Sequence, residues 1–285
     1  MMAARILSQI KQALSNLNPS EVREEAQRPV SISLHALSPR MYEQMENFFA
    51  ASETLSEGRR VQVAGLVRRE GDALLHIYEA GMPQTAAGFT YTATNPDQVV
   101  CDILKARPEL KLALARQFAP FREQVVKELI WNISKENALF SVATAVPSMV
   151  PLLSLPWAFG EFASDTAFLT ANQVRLAFML AAASDRTVGY REQKAEIASV
   201  FAGAFGWRAI ARELVGKIPL GGGLIPKAAI SFAATYVVGM SLERLYRVGY
   251  SYTAAERRDL YQQALHKGKG LAADLVENYG PRRSS

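Results

Sequence analysis

The chain has 285 residues, of which 49% are hydrophobic and 21% charged; this balance excludes wholesale disorder and leaves room for one large domain or two ordinary ones. A single cysteine, Cys101, excludes an intrachain disulfide, and the first ten residues lack the apolar core of a signal peptide, so we do not expect an exported protein. Basic and acidic residues balance at 16 each up to Asn137, whereas 16 basic residues accompany 11 acidic ones from Ala138 onward, which places the net charge of +5 in the C-terminal half.

The first predicted element is an amphipathic helix over residues 3–17. Apolar residues recur at helical spacing from Ile6 to Leu17. Such a helix either lies on a membrane or docks on the protein's own core. Its polar face carries only two basic residues, Arg5 and Lys11, so we favour docking.

Strand and helix signals alternate in the next part of the chain. Three segments have the pattern of strands: Val30–Leu37, Val61–Val67 and Ala73–Tyr78. Two helices are expected where a capping residue precedes proline, at Ser38-Pro39 and Asn95-Pro96. The alternation predicts a small α/β module over residues 28–107, following an amphipathic N-terminal segment, residues 1–27.

Helical patterns alone follow Pro108, and they predict an all-α, apolar domain over residues 108–280, with a frayed tail at 281–285. Helices are expected from near Pro120, over 157–183, from near Arg191 to Val215, over Lys227–Val248 and from Thr253. Thr253 and Glu256 have the spacing of a capping box. The fold class is therefore α+β overall.

Two long runs are almost free of charge. Residues 138–160 contain no charged side chain, and Lys227 is the one charge in residues 218–242. Runs of about 18 such residues either cross a bilayer or form the core of a helical bundle. Prolines at 147, 151 and 156 interrupt the first run and favour a broken segment over a straight span.

Four polar residues form one stripe on the predicted helix 157–183. Glu161, Asp165, Asn172 and Arg175 fall within about 80° of one another at 100° per residue. One interpretation is an interhelical or ligand-contacting polar seam. The other, which we favour, is a solvated face or a structural salt-bridge network with Arg208 or Arg212, since structural networks are more common.

No catalytic or metal-binding pattern is complete. Glu161 and Asp165 have the spacing of an acid/base pair, but no nucleophile accompanies them. His35, His76 and His266 lie far apart in the sequence, so each is expected to be structural or at the surface. The Gly221-Gly222-Gly223 run lacks the lysine and hydroxyl of a phosphate loop and is interpreted as a hairpin between helices. We therefore expect no cofactor, no metal and no enzymatic activity.

The C-terminal half resembles a known family in four segments. They are VPSMVP at 146–151, FLTANQVR at 168–175, RELVGKIPLGGGLIPKAA at 212–229 and TYVVG at 235–239. This part of the chain, about residues 137–250, is similar to the YcjF-like bacterial family of unknown function. The resemblance implies a helical domain that occurs in inner-membrane proteins and also follows Era-like or dynamin-like GTPase domains. It implies membrane association and a regulatory or scaffolding task.

That association prompts a comparison of the N-terminal half with a GTPase. Residues 36–40, between the first strand and helix, lack the glycines, lysine and hydroxyl of a phosphate loop. The module is therefore either a degenerate GTPase-like unit that cannot bind nucleotide or an unrelated α/β domain.

We expect a non-enzymatic protein at the cytoplasmic side of the bacterial inner membrane, with a partner-binding α/β module. Its predicted partners are an anionic membrane surface and a protein, with a GTPase as one candidate, and nucleic acid is not among them. The alternative is a soluble, homo-oligomeric interaction protein in the cytoplasm. A hydrolase using the Glu161/Asp165 pair is the least favoured reading.

Overall fold

A computed structural model of the chain describes residues 2–50, 57–69, 71–144, 165–201 and 224–279. As predicted, the chain is α+β, with a four-stranded parallel sheet in the N-terminal half and a helical C-terminal region. It divides into two compact units. The α/β unit contains residues 20–127 and 182–186, and the helical unit contains residues 1–19, 128–181 and 187–285.

The helices and strands have the following bounds in chain order. The helices are α1 (Met2–Ser15), α2 (Pro19–Gln27), α3 (Pro39–Ala50), α4 (Glu57–Ala64), α5 (Asp97–Ala106), α6 (Lys111–Gln117), α7 (Ala119–Ala143), α8 (Asp165–Ala183), α9 (described over 194–201), α10 (Leu224–Val248) and α11 (Ala254–Tyr279). The strands are β1 (Ile32–His35), β2 (Val67–Arg69), β3 (Leu75–Glu79) and β4 (Phe89–Tyr91). A short 3₁₀ helix, Pro108–Leu110, precedes α6.

The sheet has the strand order β2-β1-β3-β4, and all its pairs are parallel. The predicted strands around β1 and β3 are confirmed, whereas β4 was not predicted. The predicted strand Val61–Val67 is wrong, since most of it belongs to α4 and pairing with β1 begins only at Val67. Val61 is 69% exposed and Val63 is buried, whereas a strand would place both side chains on the same face.

The two predicted helix starts in this unit differ. At α3, Ser38 Oγ accepts a hydrogen bond from Met41 N at 3.2 Å, so the predicted cap is confirmed. At α5, no side chain caps the helix, and Asn95 instead accepts from Gln98 N through its backbone oxygen at 3.3 Å. The expected Asn95 side-chain cap is therefore wrong.

Both faces of the central strands of the α/β unit are buried. By side-chain alternation Ile32 of β1 and Ile77 of β3 lie on one face of the sheet and Tyr78 of β3 lies on the other, and all three are buried. Phe49 of α3 stacks on Phe121 of α7 with ring centroids 6.2 Å apart. These apolar contacts position β1 and β3 at the centre of the unit.

The helical unit is built around α8 and α10. No residue of α8 from Thr166 to Ala183 is exposed, and none of α10 from Ala228 to Tyr246 is exposed. Such helices form the core of a bundle. Among the described helices, one, Ile225–Val248, is long and apolar enough to cross a membrane (mean hydropathy 1.3), and 56% of its most apolar window is buried inside the protein.

Small residues bring α10 close to its neighbours. A Cβ atom on Gly239 would lie 2.8 Å from Ile130 of α7 and 3.1 Å from Leu176 of α8. A Cβ atom on Gly268 of α11 would lie 2.9 Å from the carbonyl oxygen of Ala229. The two glycines therefore mark close approaches of α10 to α7, α8 and α11.

The N-terminal helix docks on the helical unit, as favoured from its sequence. Ile10 and Ala13 of α1 are buried against Ala167 and Ala171 of α8. The Tyr190 hydroxyl donates to the carbonyl oxygen of Leu14 at 2.6 Å, which caps the end of α1.

The predicted start of α7 near Pro120 and the predicted helix Lys227–Val248 are confirmed by α7 and α10. The capping box of α11 is also confirmed, with Thr253 N donating to Glu256 Oε2 at 2.7 Å and Glu256 N donating to Thr253 Oγ1 at 3.3 Å. Several predictions fall outside the described residues: the helical segments 157–164 and 202–215, the hairpin at Gly221, Gly222 and Gly223, and the tail 281–285.

Candidate functional site

A chain of buried polar side chains crosses the centre of the helical unit. Asn172 of α8 donates through Nδ2 to Oδ1 of Asn137 on α7 at 2.8 Å. Asn137 in turn donates through Nδ2 to Oγ1 of Thr235 on α10 at 2.7 Å. All three residues have no exposed surface. We call this chain, with the residues bonded to it below, the polar network.

One end of the polar network carries an ion pair. Arg175 of α8 donates through the same guanidinium nitrogen to Asn172 Oδ1 and to Glu136 Oε2 on α7, each at 3.2 Å. Its side chain is 23% exposed and that of Glu136 is 30% exposed. The two charges thus lie near the rim of the bundle, where contact with water lowers their desolvation penalty. Amide side chains continue the network towards the interior.

The other end is closed by hydroxyl groups. Thr235 Oγ1 accepts from Asn137 and from Gln173 Nε2, the latter at 3.2 Å, and donates to the backbone oxygen of Ser231 at 3.0 Å. One donor and two acceptor bonds fill the capacity of a hydroxyl group. Ser231 also shares a 2.6 Å hydrogen bond with Ser141. The network is therefore satisfied internally, which is what makes buried polar groups tolerable.

The four residues of the predicted stripe have different positions. Asn172 and Arg175 lie one turn apart on α8 and are hydrogen-bonded within the polar network. Asp165 is the first residue of α8, and Glu161 lies outside the described residues, as do Arg208 and Arg212. The partner of Arg175 is Glu136 of α7.

Sequence periodicity did not identify Glu136, Asn137, Gln173 or Thr235 as members of the network. Periodicity describes one helix at a time, whereas these residues meet across three helices. The sequence held a weak signal: Asn137 directly precedes the first uncharged run, and Thr235 is a polar residue inside the second. Polar residues inside apolar segments are the ones that need partners from another helix.

A second polar cluster lies on β1 and β3 of the α/β unit. The register pairs Ser33 with His76 and His35 with Tyr78, so all four side chains share one face of the sheet. Nε2 of His35 lies 3.2 Å from Nδ1 of His76 and 3.1 Å from Oγ of Ser33. The His35 ring stacks on Tyr78 with centroids 4.3 Å apart. Two of the three histidines, which are 41 residues apart, thus meet in the fold.

The described contacts of the histidine cluster differ from those of a Ser-His-Asp triad. A catalytic histidine contacts its nucleophile through one ring nitrogen and its orienting group through the other. In the histidine cluster, Nε2 of His35 contacts both Ser33 and His76. Over the described residues, no group of three histidine, cysteine, aspartate or glutamate side chains is placed to hold a metal ion.

Open parallel sheets bind ligands at the carboxyl ends of their central strands, which here are β1 and β3. Leu37, after β1, is 66% exposed, and its backbone N–H donates to Oε2 of Glu79 at 2.7 Å. In a phosphate loop, backbone N–H groups at this position face an anion. Here a carboxylate of the protein itself takes that hydrogen bond.

Two pKa shifts characterise the α10–α11 hairpin. The Thr253 backbone N–H and the Arg244 guanidinium hold the pKa of Glu256 at about 2. Burial raises the pKa of Tyr261 to about 12, since its ring is packed between α10 and α11. Arg244 also lies over the Tyr252 ring at 4.4 Å. These contacts stabilise the turn between the two helices and contain no group prepared for proton transfer at neutral pH.

Comparisons of the chain with protein families, with curated proteins and with solved structures find no match.

Proposed function

We propose that this chain is a non-enzymatic scaffolding or regulatory protein that associates peripherally with the cytoplasmic face of a bacterial inner membrane. In this proposal the helical unit meets the membrane surface and the α/β unit binds a protein partner. The observation that carries it is the inward burial of α8 and α10 combined with the basic excess from Ala138 onward. Helices committed to their own core favour surface association over a crossing, and a basic excess favours anionic lipid.

The α/β unit supports a role in binding without nucleotide chemistry. Residues 36–40 lack the phosphate-loop residues, and Glu79 supplies a negative charge beside the Leu37 N–H. A phosphate group placed there would be repelled by that carboxylate. The resemblance of the C-terminal half to the YcjF-like family agrees with a GTPase-derived module. Calorimetry with GTP and ATP tests whether the α/β unit binds nucleotide. Heat of binding would contradict this part of the proposal.

The polar network supports a structural role for Asn172 and Arg175 of the predicted stripe. Its donors and acceptors are occupied by one another, so a substrate would have to displace existing hydrogen bonds. Breaking those buried hydrogen bonds would offset the free energy gained by the new bonds to the substrate. The network therefore favours a rigid bundle over a reaction site.

Sedimentation with vesicles tests the membrane association. We expect the full chain to sediment with vesicles of phosphatidylglycerol and phosphatidylcholine, and to remain in solution with phosphatidylcholine alone or at high salt. Extraction of cell membranes with carbonate should release it, since it is not inserted. A protein that stays soluble with anionic vesicles at low salt contradicts the proposal, and one that resists carbonate contradicts its peripheral form.

A second candidate is a soluble homo-oligomeric interaction protein. It is favoured by the burial of 56% of the most apolar window of α10 inside the protein. Light scattering after gel filtration without detergent distinguishes the two. A discrete oligomer that ignores anionic vesicles supports the second candidate, whereas a monomer that binds them supports the first.

A further inference from the structure

Three helices of the helical unit contribute aromatic rings and a lysine to one chain of contacts. Trp131 of α7 is 39% exposed, and its ring meets Phe232 of α10 edge to face with centroids 5.2 Å apart. Phe232 stacks in turn on Tyr236, one turn further along α10, at 5.7 Å. Lys267 of α11 lies over the Tyr236 ring at 5.1 Å, and its Nζ donates to the tyrosine hydroxyl oxygen at 3.4 Å. A tryptophan, a tyrosine and a lysine thus meet at the border between the bundle and solvent.

Helical spacing extends this surface along α7 and α11. On α7, exposed Lys135 lies four residues after Trp131 and four before the half-buried Leu139. On α11, the half-buried Leu271 lies four residues after Lys267. Both leucines pack on the same buried cluster of the bundle. We call this surface the aromatic–basic face, and its members are Trp131, Lys135, Leu139, Tyr236, Lys267 and Leu271.

The charges in the middle of the aromatic–basic face are positive. On α11, residues 260–273 include no acidic side chain. On α7, the acidic neighbour of Lys135 is Glu136, which is paired with an arginine of α8. Acidic residues on these two sides of the helices stand at the ends of the face, at Glu128 and Asp274. The centre of the face is therefore complementary in charge to a negative surface.

We propose that the aromatic–basic face is the surface through which the helical unit contacts anionic phospholipid, an inference that rests on the membrane association proposed above. Tryptophan and tyrosine concentrate where bilayer headgroups meet acyl chains, because each has an apolar ring and a polar group that stays hydrated. A lysine at this depth lays its methylene stem along apolar surface and places its ammonium group among the phosphates. Trp131 and Tyr236 enter this boundary, and Lys135 and Lys267 bind the headgroups.

The two lysines favour an anionic bilayer over a second copy of this chain as the occupant of the face. In a two-fold symmetric dimer the face meets itself, so that Lys135 and Lys267 of both copies enter one interface. Like charges within an interface oppose association, whereas anionic headgroups neutralise them.

Vesicle sedimentation of lysine variants of the full chain tests the face. A lysine near an anionic leaflet raises membrane affinity about fivefold, so we expect Lys135→Gln/Lys267→Gln to weaken binding to phosphatidylglycerol–phosphatidylcholine vesicles about 25-fold. The matched control, Lys105→Gln/Lys269→Gln, removes the same charge from exposed positions outside the face. Lys105 belongs to the α/β unit, and Lys269 lies about 200° around α11 from Lys267. Binding of the control should weaken less than about twofold, since screening limits the effect of distant charges.

The outcomes separate this inference from the proposed function. If the unaltered chain binds anionic vesicles and both double variants bind equally well, the face is wrong and the membrane association stands. If the unaltered chain does not bind them, the proposed function and the face are overturned together.

Quenching by brominated phosphatidylcholine in the same anionic vesicles gives a readout that does not depend on charge. The chain has three tryptophans, so the difference between the unaltered chain and Trp131→Phe isolates the signal of Trp131. Phenylalanine keeps an aromatic ring beside Phe232, so we expect a folded variant whose quenched fraction is smaller. Equal quenched fractions overturn the assignment. A discrete dimer that Trp131→Phe dissociates without vesicles assigns the face to a second copy and also overturns it.

Discussion

The close approach of α11 to the backbone of α10 at Gly268 gives a quantitative prediction. Alanine in a helix is favoured over glycine by about 1 kcal/mol, so Gly→Ala stabilises an open helical position. At Gly268 the new Cβ would lie 2.9 Å from the Ala229 carbonyl oxygen and 3.1 Å from its Cα. These are backbone atoms that cannot rotate away, so the two helices must separate, and overpacking of this kind costs about 1–3 kcal/mol. We expect Gly268→Ala to lower the free energy of unfolding by up to about 2 kcal/mol.

Gly270, two residues further along α11, provides the matched control. A Cβ atom there meets nothing within 4 Å, so Gly270→Ala should raise the free energy of unfolding by about 1 kcal/mol. Urea unfolding followed by tryptophan fluorescence reports on the helical unit, because residues 20–127 contain no tryptophan and Trp131 packs on Phe232 of α10. If Gly268→Ala stabilises the protein as much as Gly270→Ala, the argument from close helix approach is refuted.

Three further predictions concern contacts of single side chains. Asn137→Ala should lower the free energy of unfolding by about 3 kcal/mol in urea, since the Asn172 amide and the Thr235 hydroxyl each lose a buried hydrogen bond, whereas exposed Asn132→Ala should change it by less than about 0.5 kcal/mol. Because Glu256 has a pKa of about 2 in the fold, the stability that its carboxylate contributes is complete above about pH 5 and is lost as the pH falls towards 2. In Glu256→Gln the urea midpoint should therefore depend less on pH over that range. An unchanged dependence of the midpoint on pH would contradict the capping contact. Tyr190→Phe should increase hydrogen exchange in α1 up to about tenfold while α11 keeps its protection, and equal protection of α1 would show that the Leu14 contact does not hold it.

Local signals were sufficient wherever the chain determines its own structure over a few residues. Ser38 with Pro39 and Thr253 with Glu256 mark helix starts because the capping atoms lie within three residues of the groups that they satisfy. The strand predicted at Val61–Val67 was wrong because an alternating apolar pattern over so few residues also suits a short helix with one buried side. Only pairing with β1, which lies 30 residues earlier, selects between them.

The candidate clusters depend on distances that sequence does not express. Asn172 and Arg175 were placed on one face of α8 by helical spacing, but their partners Asn137 and Glu136, respectively, belong to another helix. His35 and His76 were assigned separate roles because 41 residues separate them, and the parallel register of β1 with β3 brings them to 3.2 Å. Helix spacing is set locally, whereas helix contacts and strand register are set by the packing of the whole unit.

The polar network also limits the arrangements that the bundle can adopt. Apolar helices rich in alanine present similar surfaces at successive turns, so sliding one helix by a turn, about 5.4 Å, changes the buried apolar area little. The same slide of α8 would separate the Asn172 amide from Asn137 and the Gln173 amide from Thr235 in the interior. These few bonds thus select one alignment among several of nearly equal packing. Their replacement by apolar side chains of matching volume should yield a compact bundle that exchanges among alignments, visible as broadened methyl resonances at unchanged helix content.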